Sequence, residues 1–191
     1  MKPLSKYTER HIMIDLETMG LTPDGAIVSI GAALFSPHSG DIRTEFYKRV
    51  SLESSVKAGM KIDPATLIWW LGQGDEARRD LIEFGRFNLK SVLEAFISFY
   101  QDTPVDGVWS HGSNFDIVLM ERAFDLCELR CPWTYRQVRD TRTLFALAGV
   151  VHKGNTHNAL QDAIAQVATV HKAYKELGLG DVVVRRLLHR R

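Results

Sequence analysis

The chain has 191 residues, 45% hydrophobic and 25% charged, with a formal net charge of +1, values typical of a soluble globular protein with one domain over residues 1–191. No apolar run approaches transmembrane length and the N-terminus leads into no signal-like apolar segment, so the sequence excludes a membrane-spanning chain and we expect a cytoplasmic protein. The two cysteines, Cys127 and Cys131, have no histidine pair at finger spacing, which excludes a zinc finger and favours reduced structural thiols.

Three strands are predicted in the N-terminal part of the chain. Residues 11–15 are a short apolar run that ends in an acid, residues 26–35 are small and β-branched, and residues 44–50 alternate between polar and apolar. A turn cluster at residues 36–41 separates the last two strands. These strands should form an antiparallel meander, and residues 51–63, which follow them, show no regular pattern.

Helices and strands then alternate along the rest of the chain. Apolar periodicity and capping residues predict strands at residues 105–111 and 135–140, and helices at residues 64–72, 75–83, 89–100, 115–129, 141–147 and 158–177. Residues 181–191 are expected to form a basic C-terminal tail or a last helix. This order predicts an α/β fold in which three antiparallel strands and two later strands form a mixed five-stranded sheet flanked by helices.

Two acids, Asp15 and Glu17, stand at the end of the first predicted strand. Because side chains alternate along a strand, both would leave the same face while Leu16 points the other way. Two solvated acids at a strand end would also account for this common spacing. The pair follows an apolar run, however, where an acid is costly to bury without a partner.

Asp116 lies near the start of a predicted helix. Ser113 and Asp116 have the S-x-x-D spacing of a capping box, so the acid could merely cap a helix that begins at Asn114 or Phe115. An acid in the first turn of a helix that follows a strand also lies at the end of the sheet, where ligands collect. Both interpretations stay open at this point.

His157 and Asp162 are five residues apart, so on one helix their side chains would point about 140° apart. Asn158 and Gln161 have a capping pattern, which predicts Asn158 as the N-cap, Asp162 in the first helical turns and His157 on the preceding loop. From those positions both side chains can turn towards one site. Taken alone, each is equally compatible with an exposed surface position.

Four carboxylates, those of Asp15, Glu17, Asp116 and Asp162, together predict a site for divalent cations. Carboxylates and water suit Mg²⁺ or Mn²⁺. Two such ions about 3.5–4 Å apart can activate water and stabilise the leaving oxygen of a phosphoryl displacement. Histidine is suited to take the proton from water, so His157 is a candidate general base.

Three segments resemble the motifs of the DEDDh exonucleases, members of the RNase H-like superfamily. They are residues 15–18 (DLET), residues 111–116 (HGSNFD) and residues 157–162 (HNALQD), the last with the H-x4-D spacing of the histidine branch. The tryptophan-containing helix and residues 140–144 (DTRTL) are similar to small bacterial and phage DexA-type exonucleases and related exoribonucleases. One departure is Gly112, where many relatives have asparagine.

The resemblance implies an RNase H-like fold and a 3′–5′ exonuclease. Such an enzyme would release nucleoside 5′-monophosphates from single-stranded DNA or RNA or from 3′ overhangs. Asp15, Glu17 and Asp162 would hold the catalytic metal ion and its water, and Asp15 and Asp116 would hold the second ion. His157 would be the general base. Relatives often form dimers, so a homodimer stays open by analogy, and the sequence does not determine the oligomeric state.

Further residues are candidates for contact with the substrate. Thr18 and Met19 would face the terminal nucleotide, and Asn114 and Trp69 are additional candidate binding residues. Because adjacent helical residues point about 100° apart, Trp69 and Trp70 are expected to divide between the substrate cleft and the core.

Two polar residues near the motifs have structural interpretations. Asp140 ends a predicted strand before a helix, so we interpret it as an N-cap rather than a fifth metal ligand. His111 is expected to be packed and hydrogen-bonded.

Two other functions stay open at the level of sequence. One is a nucleic-acid-binding module of the same fold with weak catalysis, against which the presence of all five site residues argues. The other is a metal-dependent phosphohydrolase of small nucleotides, which no feature of the sequence forbids.

Overall fold

A mixed five-stranded sheet organises the computed structural model, which describes residues 10–82, 87–101, 105–154 and 156–179. The strands are β1 (His11–Thr18), β2 (Ile27–Phe35), β3 (Ile42–Arg49), β4 (Gly107–Ser110) and β5 (Val138–Asp140), in the order β3-β2-β1-β4-β5. The β1–β2 and β2–β3 pairs are antiparallel, and the β1–β4 and β4–β5 pairs are parallel. The predicted α/β architecture is therefore confirmed.

Helices flank the sheet. They are α1 (Leu52–Lys57), α2 (Pro64–Leu71), α3 (Asp75–Ile82), α4 (Leu89–Gln101), α5 (Asp116–Leu126), α6 (Thr141–Ala148) and α7 (Ala159–Glu176). The segment predicted as a basic tail or helix, residues 181–191, lies outside the described residues. Among the described helices, none combines the length and apolarity needed to cross a membrane.

Alternation along β1 divides the core between the two faces of the sheet. Ile12, Ile14 and Leu16 belong to a cluster with apolar residues of α4 and α5. Met13 belongs to a second cluster with residues of α6 and α7. Asp15 and Glu17 share the parity of Met13, so they leave the sheet on the side covered by α7.

A glycine allows α7 to approach the sheet beside Asp15. Gly31 is the residue of β2 that pairs with Asp15. A Cβ built on Gly31 would lie 2.2 Å from the carbonyl carbon of Ala159, the first residue of α7. Only a residue without a side chain fits at this contact, so the start of α7 lies next to the acid at the centre of the sheet.

Two predicted segments differ from the structure. Residues 51–63, predicted as irregular, contain α1, whose N-cap Ser51 accepts a hydrogen bond from the amide of Ser54 at 3.3 Å. Its six residues are too few to show a helical period in the sequence. The predicted strand at 135–140 is instead a 3₁₀ turn at Tyr135–Gln137 followed by β5, because Thr134 and Gln137 form a capping box that turns the chain first.

Candidate metal centre

Carboxylates from distant parts of the chain converge at the end of β1. One carboxylate oxygen from each of Asp15, Glu17 and Asp162 lies within 4.8 Å of the other two. Asp116, the first residue of α5, is buried and lines the same cavity of about 660 Å³. Its N-cap is Phe115, without a side-chain cap, so the capping role considered for Asp116 with Ser113 is absent.

The ionised form of Asp15 is unfavourable in the protein without bound cations. Burial raises the pKa of Asp15 well above its usual range, and the neighbouring charges of Asp116, Glu17 and Asp162 add to this effect. The side-chain amide of Gln166 opposes it by donating a hydrogen bond from Nε2 to Oδ1 of Asp15 at 2.7 Å.

The ionised form of Asp116 is also unfavourable, chiefly because the side chain is buried. Burial raises its pKa to about 7, although backbone N–H groups of Asp116 and Leu16 partly offset that effect by bonding the carboxylate. Asp15 and Asp116 can both be ionised near neutral pH only if a positive charge compensates them. A hard divalent cation with oxygen ligands fits this donor set.

Asp162 is oriented by the turn that precedes its helix. Asn158 is the N-cap of α7, and its side chain accepts from the amide of Gln161 at 3.1 Å, as predicted. The amide and hydroxyl of Thr156 donate to one oxygen of Asp162 at 2.8 and 3.0 Å, and the amide of His157 donates to the other at 3.1 Å. The loop and the first helical turn thus hold the carboxylate in place.

His157 lies on that loop in a left-handed backbone conformation, with φ at 55°. This conformation is uncommon for a residue other than glycine, and such residues cluster at functional sites. The imidazole packs edge-on against Trp69 and Trp70, with ring centroids 5.1 and 5.8 Å away. His157 lines the cavity with the acids.

As predicted, one of the two adjacent tryptophans lies in the core and the other is exposed at the cavity. Trp70 is 2% exposed and donates from Nε1 to the carbonyl oxygen of Thr18 at 2.9 Å, which fixes α2 against the end of β1. Trp69 is 46% exposed, and Thr18 and Leu21 line the cavity with it. One wall of the cavity is therefore largely apolar and aromatic.

Two sequence candidates for substrate contact lie elsewhere. The side chain of Met19 is buried in the core, and its N–H and C=O bond with Ala26 and Asp63. Beyond Glu17 the pairing of β1 shifts register, so alternation along the strand no longer indicates which way a side chain points. Asn114 is exposed and is not among the residues that line the cavity.

Asp140 and His111 have the structural roles expected of them. Asp140 is the N-cap of α6 and accepts from the amide of Thr143 at 2.8 Å, and its other oxygen accepts from the amide of Ser113 at 2.7 Å. His111 bonds through Nδ1 with the hydroxyl of Thr141 at 2.9 Å. Both residues join the second motif to α6.

Several residues of the site were not found from the sequence. Gln166 follows Asp162 by one helical turn, so the i, i+4 spacing could have placed it on the same face of α7. Gly31 lies inside an apolar strand, a signal of close backbone approach. Thr156, Arg142 and His152 carry no local signal, because their positions depend on how α6, α7 and the loop between them pack.

The comparisons with known proteins agree with this architecture. The family model described as the 3′–5′ exoribonuclease Rv2179c-like domain matches residues 10–174. No curated protein matches the chain.

Solved structures with the same fold include exonuclease I, at 14% identity and a TM-score of 0.65 over 93% of this chain and 43% of that one. Another is the nuclease domain of 3′hExo, a DEDDh family member bound to rAMP, at 14% identity and a TM-score of 0.58 over 90% of this chain and 94% of that one. A third is E. coli exonuclease I in complex with a dT13 oligonucleotide, at 15% identity and a TM-score of 0.62 over 96% of this chain and 44% of that one. The chain thus spans less than half the length of exonuclease I.

Proposed function

Because the chain belongs to the 3′–5′ exoribonuclease Rv2179c-like domain family, we propose that this 3′–5′ exonuclease uses divalent cations to hydrolyse single-stranded nucleic acid from its 3′ end. One observation carries the proposal: oxygens of Asp15, Glu17 and Asp162 converge within 4.8 Å in a cavity that His157 also lines. RNA is the first expected substrate, because the family is described as exoribonuclease. The expected product is a nucleoside 5′-monophosphate.

The carboxylates are proposed to hold two cations, Mg²⁺ or Mn²⁺. Asp15, Glu17 and Asp162 would hold one ion, and Asp15 and Asp116 would hold the other. Bound there, two ions supply activation of water and stabilisation of the leaving oxygen. Gln166 keeps one oxygen of Asp15 in a fixed hydrogen bond, so the other oxygen of that carboxylate has a defined direction.

His157 is proposed to take the proton from the attacking water. The oxygen of that water forms a bond to phosphorus, and the bond from phosphorus to the 3′ oxygen of the preceding nucleotide breaks. That oxygen leaves with the shortened strand and takes a proton from solvent to become its new 3′ hydroxyl. The loop that carries His157 is fixed at Asp162 through the amides of Thr156 and His157. The base is therefore positioned by the same carboxylate that is proposed to bind metal.

The terminal nucleotide is proposed to lie against α2. A cavity of about 660 Å³ is in the range of small-ligand sites. Trp69 offers an exposed aromatic ring at its wall, and bases of any identity stack on such rings. Thr18 lines the cavity at the end of β1 and is proposed to contact the same nucleotide.

The test uses single-stranded, 3′-recessed and blunt oligonucleotides in DNA and RNA forms, with Mg²⁺, Mn²⁺ or EDTA. We expect stepwise shortening from the 3′ end with either metal, no turnover with EDTA, and nucleoside 5′-monophosphates by chromatography. Shortening from the 5′ end, or cuts in a circular single strand, would refute the proposed polarity. Hydrolysis confined to free nucleotides would favour the small-nucleotide phosphohydrolase instead.

A further inference from the structure

The cavity has a second wall, opposite in character to the aromatic one, which the proposed chemistry leaves without a role. It is lined by His111, Arg142 and His152. The ring centroids of His111 and His152 lie 5.0 Å apart. Nδ1 of each ring is hydrogen-bonded at 2.9 Å to a threonine hydroxyl, that of Thr141 for His111 and that of Thr169 for His152. Arg142, on the first turn of α6, is exposed.

The Arg142 guanidinium lies beside Gly112. A Cβ built on Gly112 would lie 3.4 Å from Nε and 3.5 Å from Cζ of Arg142, so the guanidinium rests against the glycine. Gly112 also has φ at 110°, a conformation that residues with a side chain rarely adopt. This glycine is the departure from the second motif noted in the sequence, and its left-handed backbone conformation lies next to the arginine.

The charge of Arg142 acts on Asp116, where it partly offsets the burial that raises the pKa of that carboxyl, but the guanidinium has no ion-pair partner among the described residues. Of the described residues that line the cavity, Arg142 is the one lysine or arginine, whereas five are acids: Asp15, Glu17, Asp63, Asp116 and Asp162. Its charge also reaches the neighbouring histidine: burial lowers the pKa of His111, and Arg142 adds to that effect.

A polyanionic strand is bound through cationic side chains that contact its phosphates. The scissile phosphate must reach the carboxylates at the end of β1 for hydrolysis, whereas Arg142 belongs to α6, lines the same cavity and is exposed to solvent. A planar guanidinium is well suited to bind phosphate oxygens. We propose that Arg142 binds a backbone phosphate of the nucleic acid on the 5′ side of the scissile one, an inference that rests on the proposed function.

Two substrates separate this role from a role in the chemistry. A single-stranded oligonucleotide has phosphates on the 5′ side, whereas the p-nitrophenyl ester of a nucleoside 5′-monophosphate has only the scissile one. We expect Arg142→Gln to raise KM for the oligonucleotide about tenfold, the effect of losing one hydrogen-bonded charge contact, with little change in kcat. Hydrolysis of the ester, followed by release of p-nitrophenolate, should stay within about twofold of the wild-type rate.

Salt dependence supplies an independent readout. The slope of log Kd against log salt for the oligonucleotide should fall by about 0.7, since each phosphate contact on a single strand contributes that amount. Arg142→Lys, which keeps the charge, should keep the wild-type slope. Arg43→Gln removes an exposed arginine that does not line the cavity and is the matched control.

The outcomes that overturn the inference are distinct from failure of the proposed function. An equal loss on both substrates would mean that Arg142 acts at the scissile phosphate, and no loss on either would mean that it contacts no phosphate. If the wild-type protein degrades neither substrate, the proposed function fails. Equilibrium binding of the oligonucleotide then decides the inference alone: a wild-type Kd in Arg142→Gln overturns it.

Discussion

At the scale of single residues, the partly buried carboxyl of Asp15 has opposite effects on stability and on function. Burial and the neighbouring acids disfavour its charge, yet the proposed metal site requires that charge. Asn has nearly the same shape as Asp and carries no charge. Replacing this one residue therefore separates the stability of the metal-free fold from the binding of metal.

We expect Asp15→Asn to abolish turnover and to leave the metal-free protein at least as stable as wild type, because repulsion among the acids is relieved. Activity is measured on a single-stranded oligonucleotide, and stability by urea unfolding in EDTA. Asp41→Asn, the same change at an exposed acid of a turn, should alter neither quantity. A near-normal rate in Asp15→Asn would remove Asp15 from the mechanism.

The backbone conformation of His157 and its imidazole ring can be tested separately by two substitutions. His157→Ala should slow the chemical step about 10²–10⁴-fold, the usual contribution of a general base, while metal-induced thermal stabilisation persists. Asn tolerates positive φ better than Ala, so His157→Asn retains the loop conformation without the imidazole.

Both His157 variants should be slow if the imidazole is the base. Recovery of activity in His157→Asn would instead assign the effect to the backbone conformation. Loss of the thermal stabilisation by Mn²⁺ in His157→Ala would make His157 a metal ligand.

At the scale of elements, the contact between β2 and α7 sets the geometry of the centre. Asp15 belongs to β1 and Asp162 to α7, and the two elements meet across Gly31. A side chain at Gly31 would have to push backbone, which cannot move as the end of a flexible side chain can. The distance between the two carboxylates therefore depends on a residue that does not line the cavity.

We expect Gly31→Ala to lower kcat/KM about 100-fold or more, since displacement by about 1 Å can cost that much, and to destabilise the fold by roughly 1–3 kcal/mol. Affinity for Mn²⁺, measured by calorimetry, should fall with it. Gly74→Ala makes the same change where a new Cβ meets nothing within 4 Å. Similar activity in the two variants would show that α7 adjusts without consequence.

Capping residues are the feature of the elements that local sequence predicted best. Asp63 accepts from the amide of Thr66 at 2.9 Å, and Asp140 and Asn158 cap α6 and α7. A cap depends on residues within three positions of one another, so its pattern is visible in the chain. The short helix α1 escaped prediction because its stability comes from packing rather than from periodicity.

At the scale of the whole molecule, pH and metal should act together on stability. In the metal-free fold the pKa of Asp116 is raised from 3.8 to about 7, so between these values the folded protein holds a proton that the unfolded chain has released. The contribution of Asp116 to stability is therefore full below about pH 4 and is lost as the pH rises towards 7. Cation binding requires the ionised form and reverses the trend.

We expect the difference in free energy of unfolding between Asp116→Asn and wild type, measured in EDTA, to shift in favour of the variant from pH 5 to pH 8. Taking the difference removes the contributions of acids that do not interact with Asp116, and the relief of Asp15 in the variant acts in the same direction. In wild type, the rise in Tm caused by Mn²⁺ should be larger at pH 8 than at pH 6. A pH-independent difference would mean that Asp116 titrates normally in the folded chain.

The antiparallel meander of the first three strands and the parity of Asp15 and Glu17 followed from the sequence by itself. Alternation along a strand and capping within a turn are local, so a few consecutive residues determine them. The same reasoning placed His157 on the loop before α7 and Asp162 in its first turn.

Only the tertiary structure decided which distant groups complete the centre. The hydrogen bond from Gln166 to Asp15 joins residues 151 positions apart. The contact between Arg142 and Gly112 joins α6 to the second motif. The register shift after Glu17 directs the side chain of Met19 into the core. Such contacts depend on how whole elements pack against one another, and packing distances of a few ångströms leave no trace in local sequence patterns.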